Sequence, residues 1–133
     1  RAGPPCLIHR DLYPEQILVD DGRPGFIDLD ELAAGEAELD LGNFIAHLHL
    51  TSHQRRCAAA PAQRQSLLLI ETYERRRRLD RRRAAAYAAG SLLRLSSLNR
   101  LAYPEVSQVG WTDLAEALLE TASQLLAARS PTA

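Results

Sequence analysis

The sequence predicts an α+β fold in which a short β-rich segment precedes a longer helical region. Three short runs of branched apolar residues lie between residues 5 and 29 and are bounded by turn-forming residues, a pattern typical of strands. From about residue 38 onward, apolar residues recur every three or four positions, which indicates amphipathic helices. The 133 residues, of which 46% are apolar, are enough for one globular domain.

The strands are expected at residues 5–9, 16–20 and 26–29, with a tight turn over residues 21–25. Four helices are expected in the remainder. Their boundaries are predicted near Pro61, around Asp80 and across residues 103–110, where Thr112 or Asp113 is expected to cap the last helix.

Composition and charge exclude several classes of protein. All 16 basic residues are Arg, and 17 acidic residues bring the net charge to -1, so we expect no binding to nucleic acid or to an anionic membrane. Two cysteines are too few for a disulfide scaffold and lack zinc-ligand spacing, which favours a cytoplasmic protein. The chain has no Met and begins Arg-Ala-Gly-Pro-Pro, so we expect it to be part of a longer protein.

Two other groups of residues have structural and functional interpretations. Seven Arg occur in the nine residues 75–83, which we interpret as a solvated helix junction because aromatic residues for nucleic-acid stacking are missing there. Tyr87 and Trp111 are expected in packing between elements, with the acceptor pocket as the alternative for either.

The polar residues of the first third are unusual for a simple hairpin. The segment His9–Gln16 lies between two predicted strands, and Asp28 and Asp30 stand at the end of the third. A strand end holds a carboxylate rigidly at the edge of a cleft. Transfer of a phosphoryl group to a hydroxyl needs one carboxylate to accept the hydroxyl proton and further oxygen ligands to hold Mg²⁺. This segment offers both kinds of group.

Three motifs, at residues 9–16, 27–31 and 38–44, follow one another in the order and at the spacing of a known family. Together they resemble the aminoglycoside phosphotransferase and choline kinase-like family over about residues 5–50. The resemblance implies a protein kinase-like fold. This chain would then be its C-terminal lobe, a short β-hairpin element that carries the catalytic loop and packs on a mainly helical subdomain.

The resemblance also assigns roles to individual residues. Asp11 would be the general base or hydroxyl-orienting residue, and Asp28 would bind the Mg²⁺ that bridges the nucleotide phosphates. Gln16 stands where the family has a metal-binding Asn, but its extra methylene displaces the amide oxygen, so it either binds metal or only hydrogen-bonds the loop. Asp30 would either add a carboxylate to the metal site or cap the following turn.

Three further residues are expected to support the loop. His9 and Arg10 would brace it, and Asp40, at a helix start, would accept hydrogen bonds from the loop backbone or pair with Arg10. These are indirect roles, because none of the three would contact the reacting atoms.

The implied reaction is phosphorylation of a small-molecule hydroxyl by ATP or GTP. A protein kinase is disfavoured, because residues 21–50 contain no Ser, Thr or Tyr and leave no room for an activation segment. The acids Glu31, Glu36 and Glu38 either favour a cationic acceptor such as an aminocyclitol or are solvated loop residues. A phosphatase of the haloacid dehalogenase type is disfavoured by Leu32, where its Asp-x-Asp motif needs Thr or Val.

The nucleotide would need a partner that this sequence does not contain. A nucleotide-binding N-terminal lobe with a phosphate-anchoring Lys is expected from elsewhere, because the chain has no Lys and no Gly-rich loop. By itself the chain is expected to be inactive. A second hypothesis therefore remains, in which the chain is a truncated or degenerate non-catalytic kinase-like module that acts as a binding or regulatory partner.

Overall fold

The computed structural model describes residues 3–55, 58–102 and 108–127. Over these ranges the chain is α+β, with strands in the first third and helices after them, as predicted. The strands are β1 Cys6–Ile8, β2 Ile17–Asp20, β3 Arg23–Phe26 and β4 Ala33–Gly35, and a 3-10 turn spans Pro14–Gln16. The helices are α1 Ala37–Gln54, α2 Ala59–Glu74, α3 Arg81–Ala102 and α4 Gln108–Ala127.

The strands form two antiparallel pairs. Strands β2 and β3 make a hairpin whose turn residues Asp21 and Gly22 have φ angles of 49° and 74°, a left-handed conformation that Gly adopts without strain and Asp tolerates. Strand β3 covers Arg23–Phe26, so most of it lies in the predicted turn of residues 21–25, and it shares only Phe26 with the strand predicted at residues 26–29. Asp28 therefore follows the strand instead of ending it. Strand β1 pairs with β4, which was not predicted because Ala-Ala-Gly lacks the branched side chains typical of strands.

The four predicted helices are present in the described ranges, but two boundaries differ. Pro61 is the third residue of α2, where the backbone N–H groups have no partner within the helix, so a proline is accommodated. The break predicted there precedes Ala59 instead. Helix α4 begins at Gln108, which places Thr112 and Asp113 inside it rather than at its cap, and residues 103–107 of the predicted break lie outside the described ranges.

The predicted break near Asp80 is confirmed, since residues 75–80 separate α2 from α3. This junction contains the arginine-rich run. Its Arg residues are exposed, as expected, and Arg81 pairs with Glu74 through Nε at 2.8 Å and Nη2 at 2.5 Å. Asp80 accepts hydrogen bonds from the backbone N–H groups of Arg82 and Arg83 and so caps the first turn of α3.

The core lies among α1, α3 and α4. Helices α1 and α3 approach closely at Gly42, where an added Cβ would stand 2.6 Å from the Cβ of Tyr87 and 2.8 Å from the carbonyl oxygen of Ala84. The main cluster of buried apolar side chains consists of Ala46, Leu50, Ala89, Leu92, Leu95, Leu118 and Ala122. This packing fixes α1, which in turn faces the strands. Among the described helices, none combines the length and the apolar character that crossing a membrane requires.

Candidate active site

One end of helix α1 holds the backbone of the loop that follows β1. The Asp40 carboxylate accepts the backbone N–H of His9 at 2.7 Å and that of Arg10 at 2.8 Å. Arg10 has a φ of 74°, an unfavourable conformation for a residue with a Cβ, and the two charge-assisted hydrogen bonds hold the chain in it. The first of the two contacts expected for Asp40 is therefore formed, while the Arg10 guanidinium pairs with Glu31 at 3.0 Å.

The same face of α1 contacts the next loop residues in turn. Asn43, only 3% exposed, donates from Nδ2 to Asp11 Oδ1 at 3.3 Å and to the Leu12 carbonyl at 3.0 Å. One turn further, the ring of His47 stacks on Tyr13 with centroids 4.6 Å apart. Residues 40, 43 and 47 share this face because their spacing follows the helical repeat. Contacts with this face of α1 thus fix the positions of residues 9–13.

Asp11 lies at the mouth of a cleft between this loop and α3. The cleft has a volume of about 580 Å³, and the Asp11 side chain is 47% exposed to it and to solvent. From the opposite wall, Nη2 of Arg94 lies 3.4 Å from Asp11 Oδ1 and 3.2 Å from Asn43 Oδ1. Asp11 is therefore accessible to a small molecule and held from two sides.

The segment after β3 is tied to the same loop. Gln16 is 4% exposed, and its side chain donates from Nε2 to Asp28 Oδ2 at 2.9 Å. The backbone carbonyl of Gln16 accepts the backbone N–H of Ile27 at 3.1 Å. The buried His9 ring donates from Nε2 to the Ile27 carbonyl at 2.8 Å, because a carbonyl oxygen only accepts. Asp28 itself is exposed and has a φ of 60°. The structure thus brings Gln16 and Asp28 together and links them to the loop that carries Asp11.

Asp30 is placed differently from the other predicted residues. It lies in an exposed turn in which the Leu32 N–H bonds the Leu29 carbonyl at 3.2 Å. No hydrogen bond or ion pair joins the Asp30 side chain to any residue that the structure describes, so the expected turn cap is not formed.

Asp28 presents an exposed carboxylate, a group that could bind a metal ion. Among residues 3–55, 58–102 and 108–127, no group of three or more His, Cys, Asp or Glu side chains is arranged to hold a metal. Mg²⁺ does not need such a cage, because it usually takes one or two protein carboxylates and completes its shell with water and substrate phosphates. Asp28 supplies an exposed carboxylate of that kind. Gln16 turns its NH₂ group toward Asp28 and so orients the carboxylate.

The comparison with protein families agrees with these motifs. The model of the phosphotransferase enzyme family matches residues 1–79, which include Asp11, Gln16, Asp28, Asp40 and the whole of α1. The chain belongs to the phosphotransferase enzyme family. The family resemblance predicted from the sequence is thereby confirmed. Searches of curated proteins and of solved structures gave no match.

In this family member the three acids next to the cleft have local partners. Glu38 is 3% exposed and buried against the helix junction, so it is not a solvated loop residue. The partners are Arg10 for Glu31, Arg83 and the Tyr87 hydroxyl for Glu36, and the Asp80 backbone N–H for Glu38. The hydrogen bond from Tyr87 to the Glu36 carboxylate, together with burial, raises the pKa of Tyr87. All three carboxylates therefore have partners within the chain.

Sequence reasoning missed three residues of the candidate site. Asn43 and His47 follow Asp40 at helical spacing, and that periodicity of polar residues was the available indication. Arg94 lies 83 positions after Asp11, and no local pattern relates the two. Tyr87 lines the cleft, in line with the alternative given for it, whereas the side chain of Trp111 lies outside the described part of the chain.

Proposed function

We propose that this family member transfers the γ-phosphoryl group of ATP or GTP to a hydroxyl group of a small molecule. The observation that carries the proposal is the Asp11 carboxylate, which opens onto the cleft while Asn43 bonds one of its oxygens. A carboxylate that is both accessible and fixed in direction is what hydroxyl activation requires.

The chemical role of Asp11 follows from this placement. The acceptor hydroxyl binds in the cleft and donates a hydrogen bond to the Asp11 carboxylate. As the hydroxyl oxygen bonds to the γ-phosphorus, the bond from that phosphorus to the β,γ-bridging oxygen breaks and the nucleoside diphosphate leaves. The hydroxyl proton passes to Asp11. General-base assistance of this kind contributes about 10² to 10⁴ in rate.

The donor side of the reaction involves Asp28. In this proposal Asp28 holds Mg²⁺ together with the nucleotide phosphates, and Gln16 keeps the carboxylate in position through its 2.9 Å hydrogen bond. The bound ion would offset the negative charge of the phosphates. Asp30, exposed and without a side-chain partner among the described residues, remains a candidate for an additional ligand.

The nucleotide needs more contacts than these residues give. The chain has no Lys to anchor its phosphates, so we propose that a nucleotide-binding lobe outside these 133 residues completes the site. Residues 1–133 would then form the C-terminal part of the phosphotransferase domain. We also propose the cytoplasm, where ATP and Mg²⁺ are abundant, as the place of the reaction.

The acceptor is a small molecule in this proposal. Only residues 29–36 separate Asp28 from α1, which leaves no platform on which a peptide chain would lie. A cleft of about 580 Å³ matches the size of small-ligand sites.

The test measures Mg²⁺-dependent transfer of labelled γ-phosphate to a panel of small alcohols by the complete gene product. Asp11→Asn is expected to lower the rate at least 100-fold. Asp20→Asn serves as the matched control, because Asp20 is an exposed carboxylate at the end of β2, away from the cleft lining. A folded protein that binds nucleotide but neither transfers nor hydrolyses it would contradict the proposal and support the non-catalytic module.

A further inference from the structure

The wall of the cleft opposite Asp11 is formed by α3 and contains small residues, Tyr87 and Arg94. Ala86, Gly90 and Arg94 are spaced four residues apart on α3 and all line the cleft. No atom lies within 4 Å of the position that a Cβ on Gly90 would occupy, so this part of the wall is open. The guanidinium of Arg94 is the charged group that an acceptor would meet on this wall.

The hydrogen-bonding capacity of Arg94 is only partly used. Its Nη2 atom is shared between Asp11 at 3.4 Å and Asn43 at 3.2 Å, and both distances are long for hydrogen bonds. Its Nε and Nη1 atoms have no acceptor among the residues that the structure describes. The side chain is 48% exposed and lines the cleft.

The charges around the cleft disfavour a cationic acceptor. Glu31 is paired with Arg10, and Glu36 is bonded by Arg83 and by Tyr87. Among the described residues, the carboxylates that line the cleft are those of Asp11, which the reaction needs for the hydroxyl, and of Glu31, which already pairs with Arg10. An ammonium group would also be repelled by the guanidinium of Arg94.

We propose that the acceptor is a small hydroxy acid whose carboxylate binds Arg94 while its hydroxyl binds Asp11. This inference rests on the proposed function and adds its substrate class. Because Nη2 of Arg94 lies 3.4 Å from Asp11 Oδ1, the two acceptor groups must be close together, as in 2-hydroxy and 3-hydroxy acids. A carboxylate bound to Arg forms charge-assisted hydrogen bonds, which are stronger than those of a neutral hydroxyl.

The experiment uses two sets of probes that differ in a single group. The three-carbon set is glycerate, glycerol and 3-amino-1,2-propanediol, and the six-carbon set is gluconate, sorbitol and glucamine. With the complete gene product and MgATP, kcat/KM for the better acid is expected to exceed that of its neutral analogue at least tenfold, with the amine poorest. A charge-assisted hydrogen bond of about 1.5–3 kcal/mol corresponds to roughly this ratio.

The variant Arg94→Gln is expected to lower the ratio of kcat/KM for the acid to kcat/KM for its neutral analogue at least tenfold, whatever it does to the rate with the neutral alcohol, because only the acid uses the guanidinium as a binding partner. Arg64→Gln is the matched control, because Arg64 is exposed on α2 and does not line the cleft. Equal rates for acid and amine, or an acid preference that survives Arg94→Gln, would overturn the inference.

Calorimetric binding of the same acids separates this inference from the proposed function. If an acid binds and Arg94→Gln weakens this binding at least tenfold, the inference is supported even when no phosphate is transferred. The lack of transfer would then contradict only the proposed function. Transfer to glycerol or to an amine, with no acid bound or phosphorylated, would leave the proposed function standing and overturn the substrate class.

Discussion

The loop that carries Asp11 and the segment that carries Asp28 lie side by side, yet they are held in different ways. Residues 9–13 are fixed against one face of α1 by Asp40, Asn43 and His47. Residues 21–32, in contrast, are exposed, and hydrogen bonds from Gln16 and His9 tie the stretch around Asp28 to the loop.

This difference corresponds to the two halves of the proposed reaction. The acceptor side, centred on Asp11, is held in place by side chains of α1. The donor side, centred on Asp28, has one exposed carboxylate with an amide partner, and a nucleotide with its metal would supply the remaining contacts. Changes in α1 should therefore damage the acceptor side first.

The largest effect is expected from Asp40→Ala. The substitution leaves the N–H groups of His9 and Arg10 without their acceptor, although Arg10 has a left-handed backbone that needs this support. We expect the free energy of unfolding to fall by about 3 kcal/mol, because two hydrogen bonds to a charged group are lost. Urea denaturation measures it. Glu116→Ala, which removes an exposed acid from α4, is the control and should change stability by less than about 0.5 kcal/mol.

Two glycines within helices should respond in opposite directions to the same substitution. In Gly42→Ala the new methyl group would stand 2.7 Å from the backbone N of Ala88, so α1 must shift away from α3, at a cost of about 2 kcal/mol. Gly90→Ala meets open space and should raise stability by about 0.5–1 kcal/mol through helix propensity. Thermal unfolding of both variants measures the two changes. If Gly90→Ala also destabilised the protein, the close approach of α1 and α3 would not explain the destabilisation by Gly42→Ala.

Asn43→Ala tests the link between α1 and Asp11. We expect a loss of about 1.5 kcal/mol in stability, because the hydrogen bonds to Asp11 and to the Leu12 carbonyl disappear. If Asn43 positions Asp11, kcat should fall about tenfold while KM for the nucleotide stays constant. Steady-state kinetics at saturating acceptor measures this split, and a rise in nucleotide KM with constant kcat would assign Asn43 to the donor side instead.

The smallest effect concerns the pH dependence of stability. Burial lowers the pKa of His47 and of His49, so the folded protein favours their neutral forms. Their contribution to stability is present above pH 6.5, the ordinary pKa, and is lost as the pH falls toward the lowered values. We expect the unfolding free energy to decrease between pH 7.5 and 5, and to decrease less in the His47→Gln, His49→Gln double variant. An identical slope in that variant would refute this origin.

Much of the site was predictable because it is local in sequence. The spacing of Asp11, Gln16 and Asp28 fixes them to one loop and one hairpin, and Asp40 was recognised from its position at a helix start. Strand β4 was missed because its pairing with β1, and not the propensity of Ala33–Gly35, makes it a strand. The end of β3 was misplaced because the backbone of Asp28 turns into a left-handed conformation that no composition rule indicates.

The contacts between distant segments were not predictable from patterns. Arg94 reaches Asp11 only because α1 and α3 pack closely at Gly42, a consequence of side-chain size at a helix crossing. The acids at 31, 36 and 38 suggested either attraction of a cation or simple solvation, and both interpretations ignored the partners that folding supplies. Pairing of charges is a property of the tertiary structure and changes what a charged residue is able to bind.

The division between an acceptor side and a donor side is tested most directly by Asp11→Asn and Asp28→Asn, measured together for nucleotide affinity and for phosphoryl transfer in the complete gene product with Mg²⁺. We expect Asp11→Asn to lower transfer at least 100-fold while the nucleotide Kd changes less than about twofold. Asp28→Asn should weaken Mg²⁺-dependent nucleotide binding as well as transfer. Transfer by Asp11→Asn within about tenfold of the unmodified protein, or equal losses of nucleotide affinity in both variants, would contradict this assignment.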